Sequence, residues 1–166
     1  MLVYNVADTH IQELIFQLSK IRIADITRDN WFEATRLCVR EDQLPLYPCP
    51  VVYWIAESKF ETHFRPKAVY LDDAMIGFLV YGLDPDDGRY WLITFMIDGK
   101  HQGKGCGKRA IKAFLEYFRA NHDADRIVLG HRPENAAAAA LYEKTGFRLT
   151  GEIIGGEVIR CHTFDR

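Results

Sequence analysis

Three glycines and two lysines between Gln102 and Lys108 carry the clearest chemical signal in this sequence. They directly precede a predicted helix, because apolar residues recur there at helical spacing, at Ile111, Phe114, Leu115 and Phe118. The start of a helix offers backbone N–H groups without partners and the positive end of the helix dipole. Glycines leave those N–H groups accessible, and lysines add positive charge. The stretch therefore predicts a site for a phosphate-bearing ligand, formed by Gly103, Lys104, Gly105, Gly107 and Lys108.

Two common phosphate-binding motifs do not fit this stretch. A nucleotide P-loop requires GxxxxGK followed by Ser or Thr, whereas Gly107-Lys108 is followed by Arg109. The dinucleotide pattern GxGxxA matches residues 105–110, but that fold requires an acidic residue at the end of the next strand. The next predicted strand, 126–129, is followed by Gly-His-Arg. The description that remains is Gln102-x-x-Gly105-x-Gly107.

A second pattern follows one predicted strand later. Asn135 can cap a helix that continues through five alanines, and Gly146 suits the left-handed position at the end of that helix. Residues 135–147 read NAAAAALYEKTGF. Together the two patterns resemble the GCN5-related N-acetyltransferase (GNAT) family. Its acyl-CoA pyrophosphate loop reads [RQ]-x-x-G-x-[GA], and its later helix carries N-x-x-A-x-x-L-Y-x-x-x-G-F.

The resemblance implies an α/β fold, in which helices flank a twisted, mixed but mostly antiparallel central sheet. It implies acetyl-CoA as cosubstrate, with its pyrophosphate held by backbone N–H groups of the loop from Gln102 to Gly107, which includes Cys106. It assigns the pantetheine arm to the strand residues Phe95, Met96 and Ile97, where a backbone N–H would stabilise the oxyanion. Asn135 would contact the CoA arm. Tyr142 would contact CoA and act as the general acid that protonates the departing thiolate.

The acceptor follows from a narrower similarity, which covers about residues 21–164. Segments such as 66–70, 84–91 and 95–98 look like those of bacterial spermine/spermidine (diamine) N-acetyltransferases. This implies direct attack by a primary amine, such as that of spermidine or spermine, in a ternary complex. Glu41 and Asp42 are expected to bind distal ammonium groups or to accept a proton through water; a solvated acidic loop is the alternative. Other acceptors (an antibiotic, an amino acid, a protein lysine or N-terminus) and a non-catalytic acyl-CoA-binding module stay open.

The elements that would position these residues follow one another along a single domain. The patterns predict a strand at 21–26, helices from about 27 or 29 to 37 and from 51 to 60, and strands at 66–71, 75–83 and 91–97. After the loop and its helix come a strand at 126–129, the Asn135 helix, and strands at 147–154 and 158–164 that turn at Gly155-Gly156. Residues 1–20 are predicted to be a helical extension, and residues 21–166 the GNAT domain.

Bulk composition excludes several classes of protein. With 48% hydrophobic and 27% charged residues the chain is globular, and a net charge of -2 gives no sign of nucleic-acid binding. No run of apolar residues is long enough to predict a membrane span. The four cysteines are scattered and the histidines lack metal-ligand spacing, so we expect a cytoplasmic protein without a metal. Proteins of this family often form dimers, which makes a homodimer one expectation.

Overall fold

A computed structural model of the protein describes residues 18–165, and its centre is a seven-stranded sheet. The strands lie in the order β1-β2-β3-β4-β5-β7-β6. Neighbouring strands are antiparallel except β4 and β5, which are parallel. The strands are β1 (Ile21–Asp25), β2 (Arg65–Leu71), β3 (Ala74–Leu83), β4 (Tyr90–Ile97), β5 (Arg126–His131), β6 (Arg148–Ile154) and β7 (Glu157–Thr163).

Helices cover both faces of the sheet. On one face, α1 (Trp31–Ala34) and α2 (Val51–Glu57) enclose a core that includes Phe78, Val80 and Met96. On the other face, α3 (Cys106–Asn121) and α4 (Ala136–Lys144) pack on a larger core. Short 3-10 turns lie at Glu41–Gln43 and Gly99–His101. A mixed, mostly antiparallel sheet between helices is the architecture predicted from the sequence.

The first predicted helix is wrong in length. It spans four residues, Trp31–Ala34, and not the stretch from 27 or 29 to 37. The side chain of Asn30 accepts a hydrogen bond from the Thr27 N–H at 2.7 Å and donates to the Asp25 carbonyl at 2.9 Å. Such bonds between polar side chains and the backbone compete with a helix and hold residues 27–30 as a turn.

Smaller corrections concern other helix ends. The second helix ends at Glu57 and not at Phe60, because Lys59 and Phe60 bond to carbonyls three residues back and continue the chain as tight turns. The loop helix begins at Cys106, one residue before Gly107, the predicted end of the loop. The helix predicted within residues 1–20 lies almost wholly outside the described residues.

Several local predictions are confirmed. The Asn135 side chain caps α4 by accepting from the Ala138 N–H at 3.0 Å. Gly146 ends that helix with φ +95°. Gly155 and Gly156 have φ +57° and +83°, and Ile154 pairs with Glu157 across them, as in a two-residue hairpin turn with both central φ angles positive.

Candidate active site

A gap between β4 and β5 forms the centre of the site. Within residues 18–165 these two strands share one ladder pair, Trp91 with Val128, at the beginning of β4. Beyond that pair the sheet opens towards Ile97. The gap leaves the backbone of the second half of β4 without a strand partner on one side.

The hydrogen-bond alternation along β4 shows which of its N–H groups face the gap. The Asp98 N–H donates to the Ile76 carbonyl at 2.8 Å, and Met96 lies opposite Phe78 on β3. Bonded and non-bonded pairs alternate in an antiparallel ladder, so Met96 is bonded to β3. The N–H groups of Phe95 and Ile97 therefore point into the gap. Among the backbone N–H groups near Met96 and Ile97 that the sequence suggests as oxyanion donors, those of Phe95 and Ile97 are the ones that face the gap.

The glycine loop closes one end of the gap. Gly103 and Gly105 have φ +74° and +79°, a conformation that other residues adopt only with strain. No atom lies within 4 Å of the position that a Cβ on Gly103 would occupy. Gly105 is the N-cap of α3, a sixteen-residue helix. The exposed glycine backbone and the start of the long helix thus lie together at the place where the sequence predicts an anion site.

The segment Cys38–Gln43 is bound tightly to this loop. The Gly99 N–H donates to the Cys38 carbonyl at 2.8 Å, and a Cβ on Gly99 would lie 3.1 Å from the Arg40 backbone nitrogen. The Gln102 side chain donates through Nε2 to the Ile97 carbonyl and to Gln43 Oε1, both at 2.8 Å. Gln102 therefore joins three parts of the site through its side chain, whereas the sequence suggested a contribution from its backbone.

A cavity of about 380 Å³ occupies the gap and contains most of the predicted cofactor-binding residues. Eight of the twelve line it: Phe95, Met96, Ile97, Gln102, Gly103, Gly107, Asn135 and Tyr142. Eight further lining residues were not predicted: Val39, Arg40, Gln43, Leu46, Tyr47, Ala137, Ala138 and Leu141. Leu141 belongs to the second sequence pattern, which was the one available signal for this group.

Four predicted cofactor-binding residues lie outside the cavity lining. Gly105 sits at the exposed start of α3, and Lys104 and Lys108 are exposed. The Lys104 ammonium donates to the Lys100 carbonyl at 2.9 Å. The Cys106 side chain is buried in the core, so what this residue offers a ligand is its backbone N–H. Burial also raises the pKa of the Cys106 thiol.

Tyr142 lies at the inner end of the cavity and is 8% exposed. Burial raises the pKa of its phenol, and the nearby Glu157 carboxylate and Tyr47 raise it further. The ring lies between Phe147, with ring centroids 5.8 Å apart, and His131, at 6.2 Å. His131 in turn accepts a hydrogen bond at Nε2 from Arg160 Nε at 3.0 Å. Tyr142 is therefore a firmly packed phenol that keeps its proton, as a general acid must.

The two predicted acceptor-binding acids stand beside the cavity and do not line it. Glu41 and Asp42 belong to the exposed 3-10 turn. The Asp42 carboxylate accepts two hydrogen bonds from the Arg40 guanidinium, at 3.1 and 3.2 Å. The structure thus brings Arg40, rather than either acid, to the wall of the cavity.

A second, acid-lined cavity of about 310 Å³ follows the first along β4. Its wall includes Asp84, Glu157, Trp91 and Phe64, with no lysine or arginine among its described lining residues. The Glu157 carboxylate lies over Gly130, where an added Cβ would approach its Oε2 to 2.4 Å. No sequence pattern predicts this cavity, because Asp84 and Glu157 lie more than seventy residues apart in the chain.

A larger open depression of about 1040 Å³ lies at the opposite ends of β4 and α3. Tyr90, Arg119 and Phe164 are among its lining residues, and none of the predicted site residues borders it. Among the described residues no group of histidine, cysteine or acidic side chains could hold a metal ion. No helix within residues 18–165 is long and apolar enough to cross a membrane.

The fold and the two sequence patterns agree with a known family. Residues 22–147 match the model of the Acetyltransferase (GNAT) family. The chain therefore belongs to this family, and its class of activity is acetyl-CoA-dependent N-acetyl transfer.

Among curated proteins, the chain is 32% identical over 139 residues to the spermine/spermidine N(1)-acetyltransferase of Bacillus subtilis strain 168. That match covers 80% of this chain and 91% of the relative. Solved structures with the same fold include an aminoglycoside acetyltransferase in complex with coenzyme A (TM-score 0.73, 16% identity, 87% of this chain and 95% of that one). Another is the spermidine N-acetyltransferase of Vibrio cholerae in complex with CoA and spermine (TM-score 0.67, 17% identity, 85% and 92%).

Proposed function

We propose that the protein acetylates a primary amine of a polyamine, such as spermidine or spermine, by direct attack on acetyl-CoA in a ternary complex. The observation that carries this proposal is the 32% identity to a spermine/spermidine acetyltransferase over 91% of that relative's length. The acid-lined cavity beside the β4–β5 gap supports it, because carboxylates and aromatic rings are the groups that bind alkylammonium ions.

The donor would lie along the 380 Å³ cavity. Backbone N–H groups of the loop from Gln102 to Gly107 and of the first turn of α3 would hold the pyrophosphate. The N–H groups of Phe95 and Ile97 face the gap, where they would bind the pantetheine arm and the oxygen of the reacting carbonyl. The side-chain carbonyl oxygen of Asn135 caps α4, so its side-chain NH₂ group is left to bind the CoA arm. Holding both reactants together contributes roughly 7–11 kcal/mol to catalysis.

Tyr142 would supply the proton that the departing CoA sulfur needs. It lines the cavity at the end away from the glycine loop, and burial keeps it in the protonated form. Replacement by phenylalanine removes the proton and keeps the ring, so Tyr142→Phe should lower kcat by about 10²–10⁴-fold.

The acceptor would extend from the gap into the acid-lined cavity. Glu157 borders that cavity and is close enough to Tyr142 to affect its ionisation, so it connects the acceptor pocket to the reacting centre. We assign Glu157 and Asp84 to the distal ammonium groups. Glu41 and Asp42, the acids proposed from sequence, line neither cavity and would act from the rim of the donor cavity.

A panel of amines tests the proposal. Release of CoA from acetyl-CoA is measured with spermine, spermidine, an aminoglycoside, free amino acids and a lysine peptide, and the products are identified by mass spectrometry. The highest kcat/KM is expected for the polyamines. Glu157→Gln should raise the KM for spermidine, whereas the matched control Glu41→Gln should change it by less. A clear preference for the aminoglycoside or the peptide would refute a polyamine acceptor.

We also propose a cytoplasmic homodimer. Edge strand β6 exposes Leu149 and Ile153 to 62% and 71%, and a second copy could cover this surface. The four cysteines are all thiols, as in reduced cytoplasmic proteins. Light scattering should give twice the chain mass, and Ile153→Lys should yield a monomer. A monomeric wild-type protein would contradict the dimer.

A further inference from the structure

Two buried polar groups beneath β4 have no hydrogen-bond partner within residues 18–165. They are the hydroxyl of Tyr47 and the indole N–H of Trp54. Burial raises the pKa of Tyr47 to about 12, and Thr94 and Trp54, which lie beside its hydroxyl, partly oppose that effect. Both neighbours lie near the hydroxyl, but neither meets the distance and angle of an ordinary hydrogen bond. The cluster therefore offers hydrogen-bonding groups that the protein itself does not use.

Unpaired buried polar groups are rare in folded proteins, because each loses its bonds to water without replacing them. The two groups lie side by side and Tyr47 lines the donor cavity, so a ligand in that cavity can supply the partner that the hydroxyl lacks. The position of the cluster shows what this could be. Thr94 stands on β4 between Ile93, which lines the acid-lined cavity, and Phe95, which lines the donor cavity. Tyr47 lines the donor cavity together with Tyr142.

An acceptor amine that extends from the acid-lined cavity to the thioester would therefore lie next to this cluster. We propose that the Tyr47 hydroxyl, flanked by Thr94 and oriented by the Trp54 N–H, binds the attacking nitrogen of the acceptor. This assignment rests on the proposed function and names a further substrate-binding residue for it. Trp54 can only donate, so in the complex its N–H would donate to the Tyr47 oxygen, which would also accept from the amine.

The attacking amine nitrogen is suited to a binding site made of uncharged hydroxyl groups. An uncharged primary amine has two N–H donors and one lone pair. Hydroxyl oxygens of Tyr47 and Thr94 can accept the two N–H groups, which leaves the lone pair for the thioester carbon. Tyr47 stays a neutral phenol, so it stabilises an ammonium ion less than the carboxylates of Asp84 and Glu157 further out do. The cluster thus selects the reactive form of the nitrogen, and the acids hold the distal charges.

The proton balance of the transfer is closed. The ammonium form of the acceptor first loses one proton to solvent. The neutral nitrogen then forms the N–C bond, the carbonyl oxygen carries the negative charge until the C–S bond breaks, and the nitrogen loses a second proton to solvent. The sulfur receives one proton from Tyr142, which is then reprotonated from solvent. Tyr47 neither gains nor loses a proton and acts by placing the nitrogen.

The test is the Tyr47→Phe variant, with Tyr53→Phe as the matched control, because Tyr53 is an exposed tyrosine on α2. For Tyr47→Phe, kcat/KM for spermidine should fall by about tenfold or more, while calorimetry should give an unchanged Kd for CoA. Trp54→Phe should produce a smaller loss of the same kind. Tyr53→Phe should behave as wild type in both measurements.

Two outcomes overturn the assignment. Unchanged kcat/KM for spermidine in Tyr47→Phe, whatever its melting temperature, would show that the hydroxyl holds only a structural water. An equal loss of CoA affinity and amine turnover would show that Tyr47 binds acetyl-CoA and not the acceptor amine. In either case wild-type activity on polyamines would still support the proposed function, whereas a wild-type enzyme that acetylates no amine would refute that function directly.

Discussion

The side chain of Gln102 provides the sharpest structural test of how the site is held together. Its Nε2 group donates to the Ile97 carbonyl and to Gln43 Oε1, both at 2.8 Å, and thereby joins the glycine loop, β4 and the segment from Cys38 to Gln43. Gln102→Met keeps the size of the side chain and removes both hydrogen bonds. Each contributes about 0.5–1.5 kcal/mol, so the two together contribute roughly 1–3 kcal/mol.

One effect opposes this loss. Gln102 Oε1 is buried without a partner within the described residues, and methionine removes that unfavourable group. An unpaired buried acceptor costs about 1 kcal/mol at the lower end of its range, so the net destabilisation should be roughly 0–2 kcal/mol, with a midpoint of about 1 kcal/mol. For a domain of this size, a loss of about 1 kcal/mol lowers Tm by about 2–4 °C. The freed loop should also bind CoA several-fold more weakly.

A double-mutant cycle separates the two bonds. Gln43→Met removes one of them and leaves the bond between Gln102 and the Ile97 carbonyl. Urea denaturation of the two single variants and the double variant should give a coupling energy of about 0.5–1.5 kcal/mol. The interpretation is refuted if the two substitutions are simply additive, or if Gln102→Met leaves both Tm and the Kd for CoA at wild-type values.

Three further predictions follow from buried titratable groups. Tyr142 keeps its proton because burial raises its pKa, so kcat should stay level through about pH 10, where an ordinary tyrosine would ionise; a fall in kcat before that pH would contradict its role as the acid. Burial lowers the pKa of His122, so only the unfolded chain takes up this proton near about pH 6.5, and stability should drop as pH falls through that value. His122→Phe should lose part of this dependence in urea titrations at several pH values, and an unaltered pH profile would exclude the effect. Native protein treated with iodoacetamide should be labelled at exposed Cys38 and not at buried Cys106, as measured by mass spectrometry of the peptides. Labelling of Cys106 in the native protein would contradict this prediction.

The parts of the fold that were predictable from sequence are those that short-range backbone requirements decide. Gly103, Gly105 and Gly146 occupy left-handed conformations, and Asn135 caps a helix. Each of these conformations requires a particular residue type at one position, so the identity of that residue predicts the local structure. The first helix was overestimated because the Asn30 side chain bonds to the backbone around it, which a pattern of apolar residues does not reveal.

The acceptor side was predicted less well because its residues meet only in three dimensions. Asp84 follows β3, Glu157 begins β7 and Tyr47 lies in a proline-rich connection, yet all three border consecutive cavities along β4. No spacing in the sequence relates them. Asp42 was a reasonable candidate by position, but its charge is engaged by Arg40 two residues away, and that contact depends on the local turn.

The central claim is that an acyl-CoA thioester lies along the gap between β4 and β5 and loses its acetyl group to an amine. The most direct measurement follows CoA and acetylated product together by mass spectrometry, in mixtures of the protein, acetyl-CoA and spermidine. We predict equal amounts of CoA and acetylspermidine, formed at a rate that saturates with both substrates and falls strongly in Tyr142→Phe. CoA release without acetylated amine, or no release above spontaneous hydrolysis, would contradict the account.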